Sequence, residues 1–334
     1  MQFWHWVIIW YILINIGGFI AYAADKSFAR CGKSRIPERD LILLAALGGG
    51  LGSLLGMILC HHKTRKKKFT IWVPFFLILY IAATCILTYQ NNNLVVTRYE
   101  LGSSLGLRAV QISDLHNMKI WWDKDYVIRK TSEQAPDAIF LTGDIVDSTH
   151  TDIDSALYTA GELAKICDTY YVTGNHEYRL SEQDYFKLMD GLSAAGVKVI
   201  SNSYEILKSG GKEYALIGLE DYSLGDATLA ELIKQARAEA GPDIPTVLLA
   251  HEPQYIDNYA GSGADYVFAG HTHGGQILLP GGTPLIAPDQ GFFPKYNSGV
   301  IKKGNTQMVI SRGIGNSVLP FRINNYPEIV LAEL

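Results

Sequence analysis

The chain has 334 residues, 48% of them hydrophobic and only 19% charged, which excludes a disordered or fibrous protein and leaves room for two domains. A net charge of −4 gives no reason to expect a nucleic-acid partner. The four cysteines, Cys31, Cys60, Cys85 and Cys167, exclude a disulfide scaffold and a thiolate metal cluster in the later part of the chain.

Three uncharged apolar runs, 3–24, 41–60 and 69–89, dominate the first ninety residues. Each has 20 to 22 residues, about 30 Å as a helix, which is the hydrocarbon thickness of a bilayer. Residues 1–6 carry no basic side chain beyond the neutral His5, a pattern unlike a cleaved signal. The expectation is a helical membrane domain over 1–90 with two to three spanning segments.

The connecting loops are basic, with Lys26, Arg30, Lys33, Arg35 and Arg39 in the first and Lys63, Arg65, Lys66, Lys67 and Lys68 in the second. Gly48, Gly52 and Gly56 recur at four-residue spacing in the middle run. Such spacing lets helix backbones approach closely in lipid, or the glycines break the run into a re-entrant hairpin with both basic loops on one side. The sequence leaves both open. The third run follows the denser basic cluster, and positive charge stays on the cytoplasmic side. Everything after residue 89 is therefore expected outside the cytoplasm, on a multi-pass protein of the cell membrane. The string IPERD, the glycine run and HKTRKKKF resemble the small bacterial membrane domain known as domain of unknown function 1294, which implies a membrane domain and no catalytic residues.

A polar break, QNNN at 90–93, and the small residues of 102–106 read as a linker over 91–106. From 107 onward, short β-rich runs at 107–113, 137–142, 169–173, 214–219, 246–250 and 266–269 alternate with helical spacing at 126–134, 154–166, 182–195 and 228–240. That alternation reads as layered α/β over 107–334.

Chemistry clusters where those strands end. The first is followed by Asp114-Leu-His116, the second by Gly143-Asp144 with Asp147 beyond, and the third by Asn175-His176-Glu177. The fifth ends in His251 and the sixth in Gly270-His271-Thr-His273. Each motif alone is ordinary turn chemistry; five in sequence at strand ends converge on one sheet edge. The donors are oxygen and imidazole, which suit Mn²⁺, Fe²⁺ or Zn²⁺. Seven donors, Asp114, His116, Asp144, Asn175, His251, His271 and His273, exceed one tetrahedral site and suit two divalent ions sharing a carboxylate, a pair that clamps phosphate and activates water.

DLH, GDIVD, GNHE, the isolated His251 and GHTHGGQ resemble the calcineurin-like metallophosphoesterase superfamily in order and approximate spacing. GHTHGGQ and the terminal SRGIGNSVLPFRINNYPEI are similar to its bacterial membrane-attached or exported subgroup, some of which cleave the pyrophosphate of UDP-diacylglucosamine. The resemblance implies a four-layer α/β/β/α sandwich with the metals at one edge of two sheets. It places Asp114, His116 and His273 on a first ion and Asn175, His251 and His271 on a second, with Asp144 bridging. His176 is then the catalytic group facing the leaving oxygen or a phosphoryl oxygen, as general acid or charge stabiliser, and Asp147 and Glu177 orient histidines from behind. Trp121 and Trp122 read as membrane-interface contacts, a lid or ordinary packing.

The leading expectation is a membrane-anchored two-metal phosphohydrolase acting on a phosphodiester or pyrophosphate, with the lipid bilayer as partner and a lipid-linked or envelope molecule as substrate. A phosphodiesterase on soluble nucleotides or small phosphoesters is the alternative within the enzyme class, and a non-catalytic ligand sensor is the alternative outside it. A transporter has no support, because no charge falls inside any apolar run.

Overall fold

The computed structural model describes residues 3–102, 105–220, 226–316 and 319–334, and the chain divides into two units, Met1–Tyr89 and Gln90–Leu334. Helix α1 (Phe3–Arg30), α2 (Glu38–Leu44), a π-helical turn (Ala45–Gly49), α3 (Gly50–Leu59) and α4 (Lys67–Asn92) follow one another. Val7–Arg30, Glu38–Leu59 and Lys67–Asn92 are each long and apolar enough to cross a membrane.

The middle segment does not run straight. Asp25, near the end of α1, accepts from the Ile36 N–H just before α2 at 3.0 Å and lies 2.7 Å from His62 Nε2 just after α3. Glu38, the first residue of α2, pairs with Lys63 at 3.1 Å. A straight helix of 22 residues would hold those ends about 33 Å apart. The segment is therefore a hairpin that enters and leaves at one end of the bundle, turning at Gly48 with φ 106°. Of the two alternatives open in the sequence, the glycines break the run into a hairpin, and both basic loops share that end.

Polar groups inside the bundle serve the turn. The Asn15 amide donates to the Gly48 carbonyl at 3.0 Å, and its oxygen accepts from the Gly52 N–H at 2.8 Å. The Tyr80 hydroxyl donates to the Ala46 carbonyl at 2.8 Å. Irregular backbone at membrane depth needs such partners. At Gly52 a Cβ would sit 1.8 Å from the Asn15 carbonyl oxygen, so α1 and α3 touch backbone to backbone there. Gly52→Ala is expected to lower the melting temperature of the detergent-solubilised chain, with overpacking costing about 1–3 kcal/mol. Gly17→Ala, where a Cβ meets nothing within 4 Å, should leave it unchanged, and equal melting of the two variants would contradict the close approach.

The second unit contains β1 (Val95–Glu100), β2 (Arg108–Ile112), α5 (Tyr126–Ser132), β3 (Ala138–Thr142), α6 (Ile153–Ala164), β4 (Asp168–Val172), α7 (Glu182–Ala194) and β5 (Lys198–Val199). There follow β6 (Ser203–Ser209), β7 (Lys212–Gly218), α8 (Asp226–Ala240), β8 (Thr246–Leu249), α9 (Ile256–Gly261) and β9 (Tyr266–Ala269). The short hairpin β10 (Ile286–Ala287) and β11 (Gly291–Phe292), then β12 (Gly299–Lys303), β13 (Thr306–Ile310) and β14 (Glu328–Glu333) complete it. One six-stranded sheet has the order β1-β14-β2-β3-β4-β5 and the other β12-β13-β9-β8-β7-β6.

Period-two alternation sorts the side chains into layers. Val110, Ile112, Ile139 and Leu141 pack under α6 and α7 with Ala156, Leu163, Leu188 and Leu192. Their neighbours Ala109, Phe140 and Val172 face the other sheet, meeting Leu216, Val247 and Phe268. Ile217, Leu248 and Val267 pack against Leu229 and Ile233 of α8 and Tyr259 of α9. The result is the expected α/β/β/α sandwich. Gln111 ties the two sheets, donating to Thr142 Oγ1 at 2.9 Å and to the Ala269 carbonyl at 2.8 Å.

The linker expected over 91–106 is corrected in part. Val95–Glu100 is an edge strand, parallel to β14 from Val95↔Glu328 to Glu100↔Glu333, because its backbone finds a partner only when the far end of the chain returns. Ser103 and Ser104 lie outside the described residues.

Candidate metal centre

The strands β2, β3 and β4 run parallel in one sheet, as do β8 and β9 in the other. Their C-terminal ends carry every motif. The loops cross-brace: the His271 N–H donates to both Asp114 oxygens at 3.0 and 3.1 Å, and the His176 N–H to Asp144 Oδ1 at 2.8 Å. Space is tight, since a Cβ at Gly270 would lie 2.4 Å from Asp114 Oδ2. Asp114, His116, Asp144, His271 and His273 all have positive φ, between 44° and 69°. That conformation is uncommon for residues with a Cβ, and five together mark a site whose side chains are aimed at the expense of the backbone.

Donor atoms of Asp114, His116 and His273 lie within 4.8 Å of one another, as do those of Asp144, His251 and His271. Asp144 Oδ2 is 3.3 Å from His251 Nε2 and 3.6 Å from His116 Nε2, so its carboxylate stands between the two groups. Asn175 Oδ1 approaches His271 Nδ1 at 3.0 Å and His251 Nε2 at 3.2 Å. All seven residues predicted as ligands are thus brought together.

The outer nitrogen of three of these histidines faces an acceptor, which fixes the tautomer. His251 Nδ1 faces the Thr142 carbonyl at 2.8 Å, His271 Nε2 the Asp289 carboxylate at 2.7 Å, and His273 Nδ1 the Gly315 carbonyl at 3.2 Å. In its neutral form each therefore turns a lone pair inward. His116 is buried with no hydrogen-bond partner on either ring nitrogen. Buried carboxylates, inward imidazole nitrogens and an orphaned imidazole form a donor set that fits a cation. Swapping the Asn175 amide would let its nitrogen donate to His271, His251 and Asp144 and its oxygen accept from Arg179 at 3.1 Å. The swapped form satisfies the amide within the protein; the oxygen-inward form suits an ion.

Burial pushes His116 and His271 down to about 4 and His273 well below the usual imidazole range, so all three are neutral and able to ligate. Burial and the Asp144 charge raise Asp114 to about 6. Burial opposes charge on Asp144 and His251 as well, but each holds the other ionised, Asp144 well below the carboxylate range and His251 up at about 10, so an ion held there takes the place of the His251 proton.

His176 sits against the first group, its ring 4.5 Å from that of His116. The Ser148 N–H donates to its Nδ1 at 3.1 Å, which leaves the proton on Nε2. Asp147 is 3.9 Å from that Nδ1 and accepts from Thr149 instead, at 2.7 Å. The expectation that Glu177 orients a histidine is corrected. Its buried carboxylate accepts from the N–H groups of Asp144, Val146 and Gly174 at 2.9, 3.3 and 2.7 Å, which fixes the backbone of two motif loops; burial and Asp144 raise it to about 7. Trp121 and Trp122 are exposed, Trp122 by 81%, so ordinary packing does not account for them.

Residues outside the motifs complete the site. Asp289 lies in an irregular stretch and carries no sequence signal beyond its charge. The fully buried Arg322 donates to the carbonyls of Arg312 at 2.8 Å and Gly315, behind His273. Ser148 is visible only as the neighbour of Asp147.

Residues 107–275 match the family model of the calcineurin-like phosphoesterases. A Bacillus subtilis protein called uncharacterized metallophosphoesterase YkuE is 30% identical over 260 residues, covering 73% of this chain and 87% of that relative. The chain belongs to the calcineurin-like phosphoesterase family. As a member it is a metal-dependent phosphoester hydrolase, and calcineurin-like phosphoesterases use a dimetal centre. The phosphodiesterase YaeI of Escherichia coli is 27% identical, over 60% of this chain and 72% of its own length. A bovine transmembrane protein with metallophosphoesterase domain is 28% identical over 67% of this chain, which spans about half, 52%, of that relative. Residues 15–69 match a second family model, a protein of unknown function (DUF1294).

Proposed function

We propose that this phosphoesterase is a membrane-anchored two-metal hydrolase that cleaves a phosphodiester or pyrophosphate bond in a lipid-linked or envelope substrate outside the cytoplasm. The observation that carries the reading is the pair of donor groups meeting at Asp144, built from buried carboxylates and imidazoles. Asp114, His116 and His273 would hold one ion, and Asn175, His251 and His271 the other, with Asp144 shared. Imidazole and carboxylate donors favour Mn²⁺, Fe²⁺ or Zn²⁺. When bound, such ions supply Lewis acidity toward phosphoryl oxygens and draw the pKa of water toward neutrality.

The chain's own residues do the rest. Hydrogen bonds to Thr142, Asp289 and Gly315 hold three imidazoles in register before substrate arrives. His176, kept neutral by burial with its proton on Nε2 and Nδ1 anchored on Ser148, donates a hydrogen bond to the departing oxygen. The re-entrant topology supports the orientation, since all the basic residues of the first unit gather at one end and α4 leads away from it. Lipid tethering favours substrates that share the bilayer; a soluble phosphodiester is the second reading.

Hydrolysis of a model phosphodiester is expected to vanish after exhaustive chelation and to return with Mn²⁺. Full activity in the chelated protein would overturn the two-metal reading. Comparing headgroup release from lipid-linked phosphodiesters and pyrophosphates with that from soluble nucleotides decides between the two substrate classes.

A further inference from the structure

The first unit contains ten Lys and Arg against three Asp and Glu, a surplus of seven, while the whole chain stands at −4. The hairpin brings all of these charges to one end of the bundle. There, Lys26, Arg35, His61, His62, Lys63, Thr64, Arg65 and Lys66 line a cavity of about 540 Å³. Its wall is built rather than loose. Asp25, fully buried, accepts from Arg35 Nη2 at 3.1 Å and the Ile36 N–H at 3.0 Å, and has His62 Nε2 at 2.7 Å and Lys63 Nζ at 3.3 Å.

His62 and Lys63 are themselves 6% and 8% exposed. His61 and Lys63 take positive φ, 45° and 62°, which turns this short loop tightly around Asp25. Lys26 closes one side by donating to the His61 carbonyl at 3.1 Å. Five Lys and Arg line the cavity, and two carboxylates, Asp25 and Glu38, oppose them, so a positive surplus remains. Among the described residues Arg65 has no ion-pair partner. A loop that served only to keep charge on one side of a membrane would need neither a buried carboxylate nor a strained turn.

We propose that this cavity binds the phosphate of an anionic phospholipid. The cavity sits where the apolar helices end, which is the depth of lipid phosphates, and basic pockets between membrane helices recognise such headgroups. Phosphate accepts several charge-assisted hydrogen bonds at once from Arg and Lys. The site is separate from the phosphoesterase centre, and its test reads binding alone.

The full chain in neutral detergent at 0.15 M salt is titrated with short-chain phosphatidylglycerol, with short-chain phosphatidylcholine and with inorganic phosphate as parallel arms. Arg65→Gln/Lys66→Gln removes two exposed cations of the lining; Lys67→Gln/Lys68→Gln removes the same charge just outside it. Each lost charge-assisted hydrogen bond is worth roughly tenfold, so the first variant should bind phosphatidylglycerol at least about tenfold more weakly. Screening holds the second to within about threefold of the native chain. Equal weakening of both would overturn the site in favour of diffuse attraction. No preference for phosphatidylglycerol over phosphatidylcholine would do the same, and inorganic phosphate binding as tightly as phosphatidylglycerol would overturn the lipid as its source. Size-exclusion elution identical to the native chain verifies that both variants remain folded.

Discussion

Asp144→Ala is expected to strip the centre of metal and to lower phosphodiester hydrolysis by at least about a thousandfold, since Lewis-acid stabilisation of this kind is worth several kcal/mol. The carboxylate stands 3.3 Å from His251 and 3.6 Å from His116, and so reaches a histidine of each donor group. Its Oδ1 also accepts the His176 N–H, and its loss frees the loop that carries Asn175. Metal content, read by plasma mass spectrometry on the purified chain, should fall from about two ions to one or fewer. Asp144→Asn keeps the shape and most hydrogen bonds while removing the charge, and should fail nearly as badly. If it retained both ions and near-native rate, the carboxylate would be a loop brace and the bridge would lie elsewhere. Asp147→Ala is the companion control: its carboxylate is spent on Thr149 and stands 3.9 Å from His176, so both ions should remain.

These residues were legible in the sequence because the chemistry is local to strand ends. A β-run followed by Asp-x-His or Gly-Asp announces itself within six residues, and parallel strands put all such ends on one edge. Partners that act from far away leave no such mark. Asp289 reaches His271 from 18 residues downstream in an irregular stretch, where an Asp is ordinary turn chemistry. Strand β1 looked like a linker because its pairing partner β14 lies more than 230 residues on. Glu177 was recognisable as part of its motif, yet its targets are backbone N–H groups, which no side-chain pattern can reveal. The hairpin in the first unit was open for a related reason. Glycine spacing permits both close packing and a break, and the decision rests on Asp25 gathering Ile36 and His62, a three-body contact.

His176→Ala tests the group that this reading holds apart from the metals. Its ring lies beside His116, and one of its ring nitrogens falls within 4.8 Å of donor atoms of His116 and Asp144, so position alone would also allow a ligand. The Ser148 N–H decides the chemistry: by donating to Nδ1 at 3.1 Å it leaves Nε2 protonated, and a protonated nitrogen donates rather than ligates. The variant is therefore expected to keep both ions while kcat falls by ~10²–10³ on an alkyl phosphodiester, the usual worth of one preorganised hydrogen-bond donor in the transition state. The fall should be much smaller on a nitrophenyl ester, whose leaving oxygen is a weak base and needs little help. Loss of metal would make His176 a ligand after all. A small loss equal on both esters would reduce it to packing against His116. A steep loss equal on both, with metal retained, would remove the hydrogen bond to the departing oxygen and leave one to the phosphoryl oxygens as its contribution, because that interaction does not depend on the basicity of the group that departs.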